Sequence, residues 1–210
     1  MRVGLYGKHV LPRLVHLACG AKPLMRQREK VVPAAAGEVL EVGIGSGLNL
    51  PYYDPEQVSR VIGLDPSPEM TGRAIHAAAT APFEVRFLSS PAEEIPLESG
   101  SVDTAVLTWT LCTIPDPGAA LRQVARVLRP DGRLLFCEHG LAPDEGVRRW
   151  QHRMTPLWRR LGGGCHLNRD IPALLERSGF RIAALETMYI PGWRPACFNY
   201  WGTALPPGAG

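Results

Sequence analysis

The chain has 210 residues, of which 45% are hydrophobic and 20% charged, a size and composition that suit one folded domain of up to about 250 residues. Glycine (22) and proline (20) make up a fifth of it, short of the share that marks disordered sequence. The net charge of +3, with no run of five like charges, excludes a dedicated nucleic-acid binder and leaves a small molecule as the expected partner.

Two helices are expected first, around residues 8–19 and 22–34, as an N-terminal helical cap over 1–36. The run from His9 to Cys19 is basic and amphipathic; packing on the domain explains it, and peripheral contact with a membrane is the other use of such a face. Short apolar runs then alternate with longer amphipathic ones, which implies an α/β fold in one domain over 37–205. Strands are expected at 38–42, 60–64, 84–88, 104–108 and 133–137, most of them rich in Val, Ile or Leu as buried parallel strands are.

Ala120, Leu121, Val124, Val127 and Leu128 recur at helical spacing over 117–128. Asp116 supplies the N-cap, and Pro130-Asp131-Gly132 the stop. A helix over 147–161 carries Trp150, Trp158 and five arginines, and Gly162-Gly163-Gly164 breaks it into a flexible loop. A last helix over 169–177 begins with Asp170 and Pro172 and ends at Ser178-Gly179. Strands at 180–186 and 195–203 follow, then a frayed tail over 206–210.

Five cysteines, Cys19, Cys112, Cys137, Cys165 and Cys197, are odd in number and contain no C-x-x-C, against both a disulfide framework and a zinc knuckle. His9, His16, His76 and His152 have no cysteine or carboxylate at ligand spacing, so no metal is expected. No apolar run reaches the roughly 18 residues of a bilayer span, and no secretory leader is visible. A cytoplasmic location is the expectation; the oligomeric state is not readable.

The chemistry concentrates in Leu40-Glu41-Val42-Gly43-Ile44-Gly45-Ser46-Gly47. Glycines after a strand let the chain turn sharply and a ligand approach the main chain, at the carboxyl edge where α/β sheets bind ligands. A dinucleotide fingerprint needs glycine at the position of Leu48. The pattern is instead E-x-G-x-G-x-G, whose acidic residue would repel a pyrophosphate and suits a cationic ligand. Asp65, at the end of the second strand, is placed to accept two ribose hydroxyls, so an adenosine-type cofactor is expected.

These residues, with Gly63-Leu64-Asp65-Pro66-Ser67, Ala92-Glu93-Glu94-Ile95-Pro96 to Ser101-Val102-Asp103, and Arg126-Val127-Leu128-Arg129-Pro130-Asp131-Gly132, resemble the class I S-adenosylmethionine-dependent methyltransferases. The resemblance implies a Rossmann-like fold: a seven-stranded, mostly parallel sheet with an antiparallel last strand and helices on both faces. It implies S-adenosylmethionine as donor and S-adenosylhomocysteine as product. Gly43, Gly45 and Gly47 would pack against the methionine portion, Glu41 would face its ammonium and Asp65 would bind the ribose, with Pro66 and Thr108 bordering the same site. Such families often hold the adenine amino group with an Asp where Pro91 stands here, which leaves the main chain of Ala92 or the side chain of Glu93. Tyr6 is a candidate to close over the cofactor.

Leu111-Cys112-Thr113-Ile114, Phe136-Cys137-Glu138-His139 and Gly164-Cys165-His166-Leu167-Asn168-Arg169 are similar to the branch that includes thiol S-methyltransferases acting on small alkyl thiols. No apolar N-terminal anchor like that of its animal members accompanies them. The resemblance implies methylation of a small-molecule acceptor, with a thiol as the specific expectation. Phospholipid or other amine N-methylation, and a non-catalytic S-adenosylmethionine-binding module, stay open. His139, at the end of the fifth strand, is the candidate base or substrate-orienting group. Cys112 is read as a packing residue and His166 with Asn168 as shaping a substrate lid.

Overall fold

A computed structural model describes residues 10–208. In chain order the elements are α1 (Leu11–Cys19), α2 (Lys22–Val31), β1 (Gly37–Val42), β2 (Val58–Leu64), α3 (Pro68–Ala78), β3 (Glu84–Leu88), β4 (Val102–Thr108), α4 (Pro117–Val127), β5 (Leu128–His139), α5 (Glu145–Leu161), α6 (Ile171–Arg177), β6 (Arg181–Tyr189), α7 (Arg194–Cys197) and β7 (Phe198–Leu205). The strands form one sheet in the order β3-β2-β1-β4-β5-β7-β6, so the expected seven-stranded architecture is present. β7 runs antiparallel between β5 and β6. The connection over 190–197 is too short for a parallel crossover, which takes about a dozen residues or more.

The sheet is buried on both faces because its strands are apolar at successive positions. Leu40, Val42, Ile62, Leu64, Leu107 and Phe136 face α4 and α6 through Leu121, Val124, Ile171 and Leu175. Val39, Val61, Val106 and Leu135 face the other way, onto Val31 at the end of α2 and Ala74 of α3. Strand order reverses between β1 and β4, which opens a crevice at their carboxyl ends, the place where such sheets take ligands.

Several boundaries differ from expectation for local reasons. Helix α2 stops at Val31 and passes into a 3-10 turn over Val32–Ala34 that contains Pro33. Helix α3 carries only a weak apolar stripe, with a single buried residue, Ala74, and the expectation omits it. Its start is nonetheless marked, since the Ser67 hydroxyl accepts from the Met70 N–H and Pro68 stands in the first turn. Strand β5 already begins at Leu128, so Pro130-Asp131-Gly132 lies inside it, accommodated by a register shift between Val102 and Thr104 of β4. The last strand starts at Phe198, behind the short α7.

One side chain of helix α5 ties it to the loop that leaves β5 and to α7. Gln151, fully buried, donates to the carbonyls of Gly140 and Pro195 and accepts from the Ala142 N–H. No helix among the described residues is long and apolar enough to cross a membrane.

Phe136, fully buried at the centre of the α4–α6 face, tests this core. Phe136→Ala should cost about 3–5 kcal/mol, read as a lowered urea midpoint at unchanged slope.

Candidate functional site

The loop after β1 is shaped by what lies behind it. Gly43 has φ +73°, and a Cβ there would come within 2.5 Å of the Thr110 side chain. The loop backbone therefore rests directly on the turn that follows β4. Gly45 donates its N–H to Asp65 Oδ2 at 3.0 Å, and Ser67 donates to Oδ1 at 2.8 Å. Each carboxylate oxygen keeps a lone pair for a further donor. Burial pushes Asp65 upward while these two backbone bonds pull it down, with burial the larger effect.

Beside the loop lies a cavity of about 720 Å³, within the range of roughly 300–1,000 Å³ common for small-molecule sites. Of the residues expected from the sequence, Glu41, Gly43, Gly45, Asp65, Pro66, Ala92, Glu93 and Thr108 line it. Gly47 does not line it. Its φ is +77° and the space a side chain would take is filled by Leu50 and by Ala74 and Ala77 of α3, so it seats that helix. Tyr6 lies outside the described residues. Pro91 is part of the wall where an Asp is common, and Glu93 Oε1 accepts from the Asp116 N–H at 3.1 Å.

The floor of the cavity is a buried polar network. Glu41 accepts from Asn49 Nδ2 at 2.9 Å on one oxygen and from the Tyr53 hydroxyl at 2.8 Å on the other. Burial pushes its carboxyl up to about 7, against the opposing pull of Tyr53, Arg28 and Asn49. Arg28 of α2, only 4% exposed, donates from one terminal nitrogen to Asn49 Oδ1 at 2.6 Å and Thr108 Oγ1 at 2.8 Å. Its guanidinium lies 4.8 Å from the Trp109 ring centre, and its Nε is buried without a hydrogen-bond partner among the described residues. Helix α1 forms a further wall through Leu11, Val15 and Cys19, and His16 Nδ1 meets Ser46 Oγ of the glycine loop at 2.7 Å.

Just beyond Thr108, at this same carboxyl end of β4, the chain turns abruptly. Trp109 has φ +51°, an uncommon conformation for a bulky side chain that tends to occur at functional sites. The turn is held by Glu138, whose Oε1 accepts from the N–H groups of Thr110 (2.8 Å) and Leu111 (3.0 Å). Arg169 clamps the same turn from the opposite side, donating to the carbonyls of Leu111 and Ile114, while the His166 N–H donates to the Cys112 carbonyl at 2.8 Å. The triple glycine is a hydrogen-bonded turn, with Gly164 N–H on the Arg159 carbonyl and Cys165 N–H on that of Gly162.

These clamps bring Cys112, His139 and Cys165 together, with one sulfur or nitrogen atom of each within 4.8 Å of the others. His139 Nε2 lies 3.3 Å from Cys165 Sγ. His139 is 8% exposed and does not line the cavity, which corrects its expected place on the substrate rim: its Nε2 is already engaged by sulfur. Burial alone would lower the imidazole's pKa, yet the contact with Cys165 and the nearby Glu138 raise it; Cys165 is lowered, first by Cys112 and then by His139. Asn168 is drawn to α5, with Nδ2 on His152 Nδ1 at 2.9 Å.

The model of a methyltransferase domain matches residues 40–136. The human thiol S-methyltransferase TMT1B is 35% identical over 184 residues, covering 84% of this chain and 74% of its own length. This chain belongs to the class I S-adenosylmethionine-dependent methyltransferases. Human thiol S-methyltransferase TMT1A is also 35% identical, over 80% of this chain and 71% of its own. In fold the chain is similar to an S-adenosylmethionine-dependent methyltransferase of Methanosarcina mazei, with TM-score 0.64 and 22% identity over 81% of this chain and 92% of that one. A Bacillus halodurans putative methyltransferase gives TM-score 0.67 at 15% identity, over 87% and 98%.

The methyltransferase uses S-adenosylmethionine and releases S-adenosylhomocysteine, and its cavity fits that donor. No side chain intrudes at Gly43 or Gly45, Asp65 keeps acceptor capacity at the loop edge, and a carboxylate and a guanidinium share the floor. Arg28 and His16, neither of which was expected at the donor site, come from helices α2 and α1, and no spacing rule links them to the glycine motif. Nor does local spacing bring Cys112, His139 and Cys165 together: the first follows β4, the second ends β5 and the third follows α5.

Gly43→Ala should force φ +73° on a residue with a side chain and drive it into Thr110. A lowered melting temperature together with weakened S-adenosylmethionine binding in calorimetry is the expected result.

Proposed function

We propose that this methyltransferase transfers the methyl group to the sulfur of a small thiol. The observation that carries this is the likeness to thiol S-methyltransferases across more than four-fifths of the chain. The cavity supports it. The wall made by Leu11, Val15, Cys19, Thr113 and Gly163 is largely apolar and carries no carboxylate, which suits a thiol with a short apolar tail better than a cationic amine. The free cysteines throughout fit the reducing cytoplasm.

The donor would be held by three groups of this chain. Asp65 accepts the ribose hydroxyls; Arg28, with its unpartnered Nε, takes the carboxylate of the amino-acid end; Glu41 balances the ammonium. Adenine lies along Pro91, Ala92 and Glu93. Because the sulfonium is already a good leaving group, the protein's work is to align the acceptor sulfur for in-line displacement and to exclude water. A free thiol is only a few per cent ionised at neutral pH, so a group that favours the thiolate raises the rate. His139 serves the acceptor through Cys165, as a positioning residue.

A membrane-borne acceptor, such as a phospholipid amine, is the second reading. It is favoured by the exposure of Leu14 and Leu17 on α1, and of Trp150, Leu157 and Leu161 on the arginine-rich α5. Labelled donor offered with small alkyl thiols, amines and phospholipid vesicles decides between them. Turnover confined to thiols supports the first reading, and turnover confined to vesicles overturns it.

Asp65→Ala should weaken donor binding by about tenfold or more, as loss of charge-assisted bonds costs about 1.5–3 kcal/mol, with the circular dichroism spectrum unchanged; equal affinity in calorimetry would remove the ribose assignment. Ionised Glu41 favours the cationic donor, and its carboxyl stands at about 7. Donor affinity should therefore fall as the pH drops through that value, and Glu41→Gln should flatten the profile. Arg28, Asp65 and Tyr53 are the other titratable groups that act on it. His139→Ala should reduce kcat with little change in donor Kd, whereas full turnover would eliminate its role.

A further inference from the structure

Three segments singled out in the sequence for the acceptor end, Leu111-Cys112-Thr113-Ile114, Glu138-His139 and Gly164 to Arg169, meet at one point. Their ligand-bearing atoms are Cys112 Sγ, His139 Nε2 and Cys165 Sγ, all within 4.8 Å of one another. We propose that these three atoms bind one Zn(II) ion, with the fourth coordination position open toward the cavity for the thiolate of the acceptor. The identity of that fourth ligand rests on the thiol reading above; the metal site does not.

The donor set suits such an ion. Two thiolates and an imidazole are soft and borderline ligands that favour zinc over magnesium or calcium, and three protein ligands with one open position is the pattern of zinc sites that do chemistry. Bond lengths of about 2.3 Å to sulfur and about 2.0–2.1 Å to nitrogen put the ligand atoms of a tetrahedral site roughly 3.5–3.8 Å apart. The Cys165 Sγ to His139 Nε2 distance is 3.3 Å, so ligation requires that pair to separate by only a few tenths of an ångström.

The ligands are also held in place before any ion arrives. Glu138 ties the main chain at Thr110 and Leu111 to β5, next to His139. Arg169 and the His166 N–H tie the loop carrying Cys165 to the carbonyls of Leu111, Cys112 and Ile114. Five backbone groups of one short turn are thus spent on fixing three ligands relative to each other, the kind of support that tunes metal sites. Thr113, next to Cys112, and Gly163, two residues before Cys165, line the donor cavity, so the cluster adjoins the place where the methyl group is delivered.

In the step this implies, the acceptor RSH releases its proton to solvent on binding the ion. A lone pair of the bound sulfur forms the new S–CH3 bond while the bond from the methyl carbon to the donor sulfur breaks, its electron pair staying on that sulfur. The product is a neutral thioether, a poorer ligand than a thiolate, and leaves the ion.

The test is metal binding by the reduced full-length protein. Titrated with Zn(II) against a chromophoric chelator, it should bind one ion per chain. Cys165→Ser, at the partly exposed ligand, and Cys112→Ser should each weaken binding by about tenfold or more, while Cys197→Ser leaves it unchanged. Should Cys112→Ser fail to fold by circular dichroism, Cys165→Ser and His139→Gln carry the comparison, with donor affinity in calorimetry confirming an intact cavity. The Co(II) form should show sulfur-to-cobalt charge-transfer absorption that grows when a small alkyl thiol is added. Absence of stoichiometric binding, binding indifferent to Cys112 and Cys165, or a Co(II) spectrum indifferent to thiol would overturn the proposal. Thiol turnover without metal binding would defeat the site alone. Metal binding in a protein that methylates only amines would defeat the thiol acceptor, and with it the open position.

Discussion

Both halves of the site hang from one buried carboxylate. Glu138 is fully buried at the end of β5 and gives one oxygen to two successive N–H groups, those of Thr110 and Leu111. Burying an acid without a paired cation is costly, and burial indeed pushes its carboxyl up to about 7, against the opposing effect of these two bonds. The turn it holds does two jobs. Thr110 fills the space that Gly43 leaves, which sets the height of the donor loop. Cys112, two residues further on, is delivered to His139 and Cys165. The unusual backbone of Trp109 is the strain that accompanies so abrupt a reversal.

The donor side is built on a different electrostatic principle. Glu41 and Arg28 are both buried, yet no direct ion pair joins them; Asn49 stands between, donating to one and accepting from the other. An uncompensated buried pair of charges costs several kcal/mol, by an order-of-magnitude reckoning. A ligand that brings an ammonium and a carboxylate together answers both charges at once. On the function proposed above, the network suits a zwitterion, with Tyr53 donating to Glu41 and Arg28 donating to Thr108 as its remaining bonds.

How much of this the sequence displayed follows from how each part is encoded. Five strands and the glycine loop were legible because a buried parallel strand is a short apolar run and its loop is contiguous. Helix α4 was legible through Ala120, Leu121, Val124 and Val127. Helix α3 was not, since an alanine-rich helix with one buried residue leaves almost no apolar stripe. Proline and glycine at 130–132 suggested a stop before β5, but the strand absorbs them at its edge through a register shift. Gly47 had the motif's spacing yet serves packing. Arg28 and the meeting of Cys112, His139 and Cys165 depend on tertiary convergence, which no spacing along the chain reports.

The reversal of strand order between β1 and β4 has a consequence for how such a protein can diverge. Apart from Arg28, the groups proposed for the donor follow or end β1, β2 and β3 and reach only as far as Thr108 of β4, while the sulfur-and-imidazole cluster is drawn from the turn after β4, the end of β5 and the loop beyond α5. The two sets share the 110 turn and little else. Within the loop over 162–169, Cys165, His166 and Asn168 stand clear of the cavity lining, whereas Gly162 and Gly163 belong to it and Arg169 holds the 110 turn, so it is at the first three that the acceptor end can change with least effect on the donor side. A duplicated gene with this layout starts its drift toward a new acceptor already equipped with a working donor site.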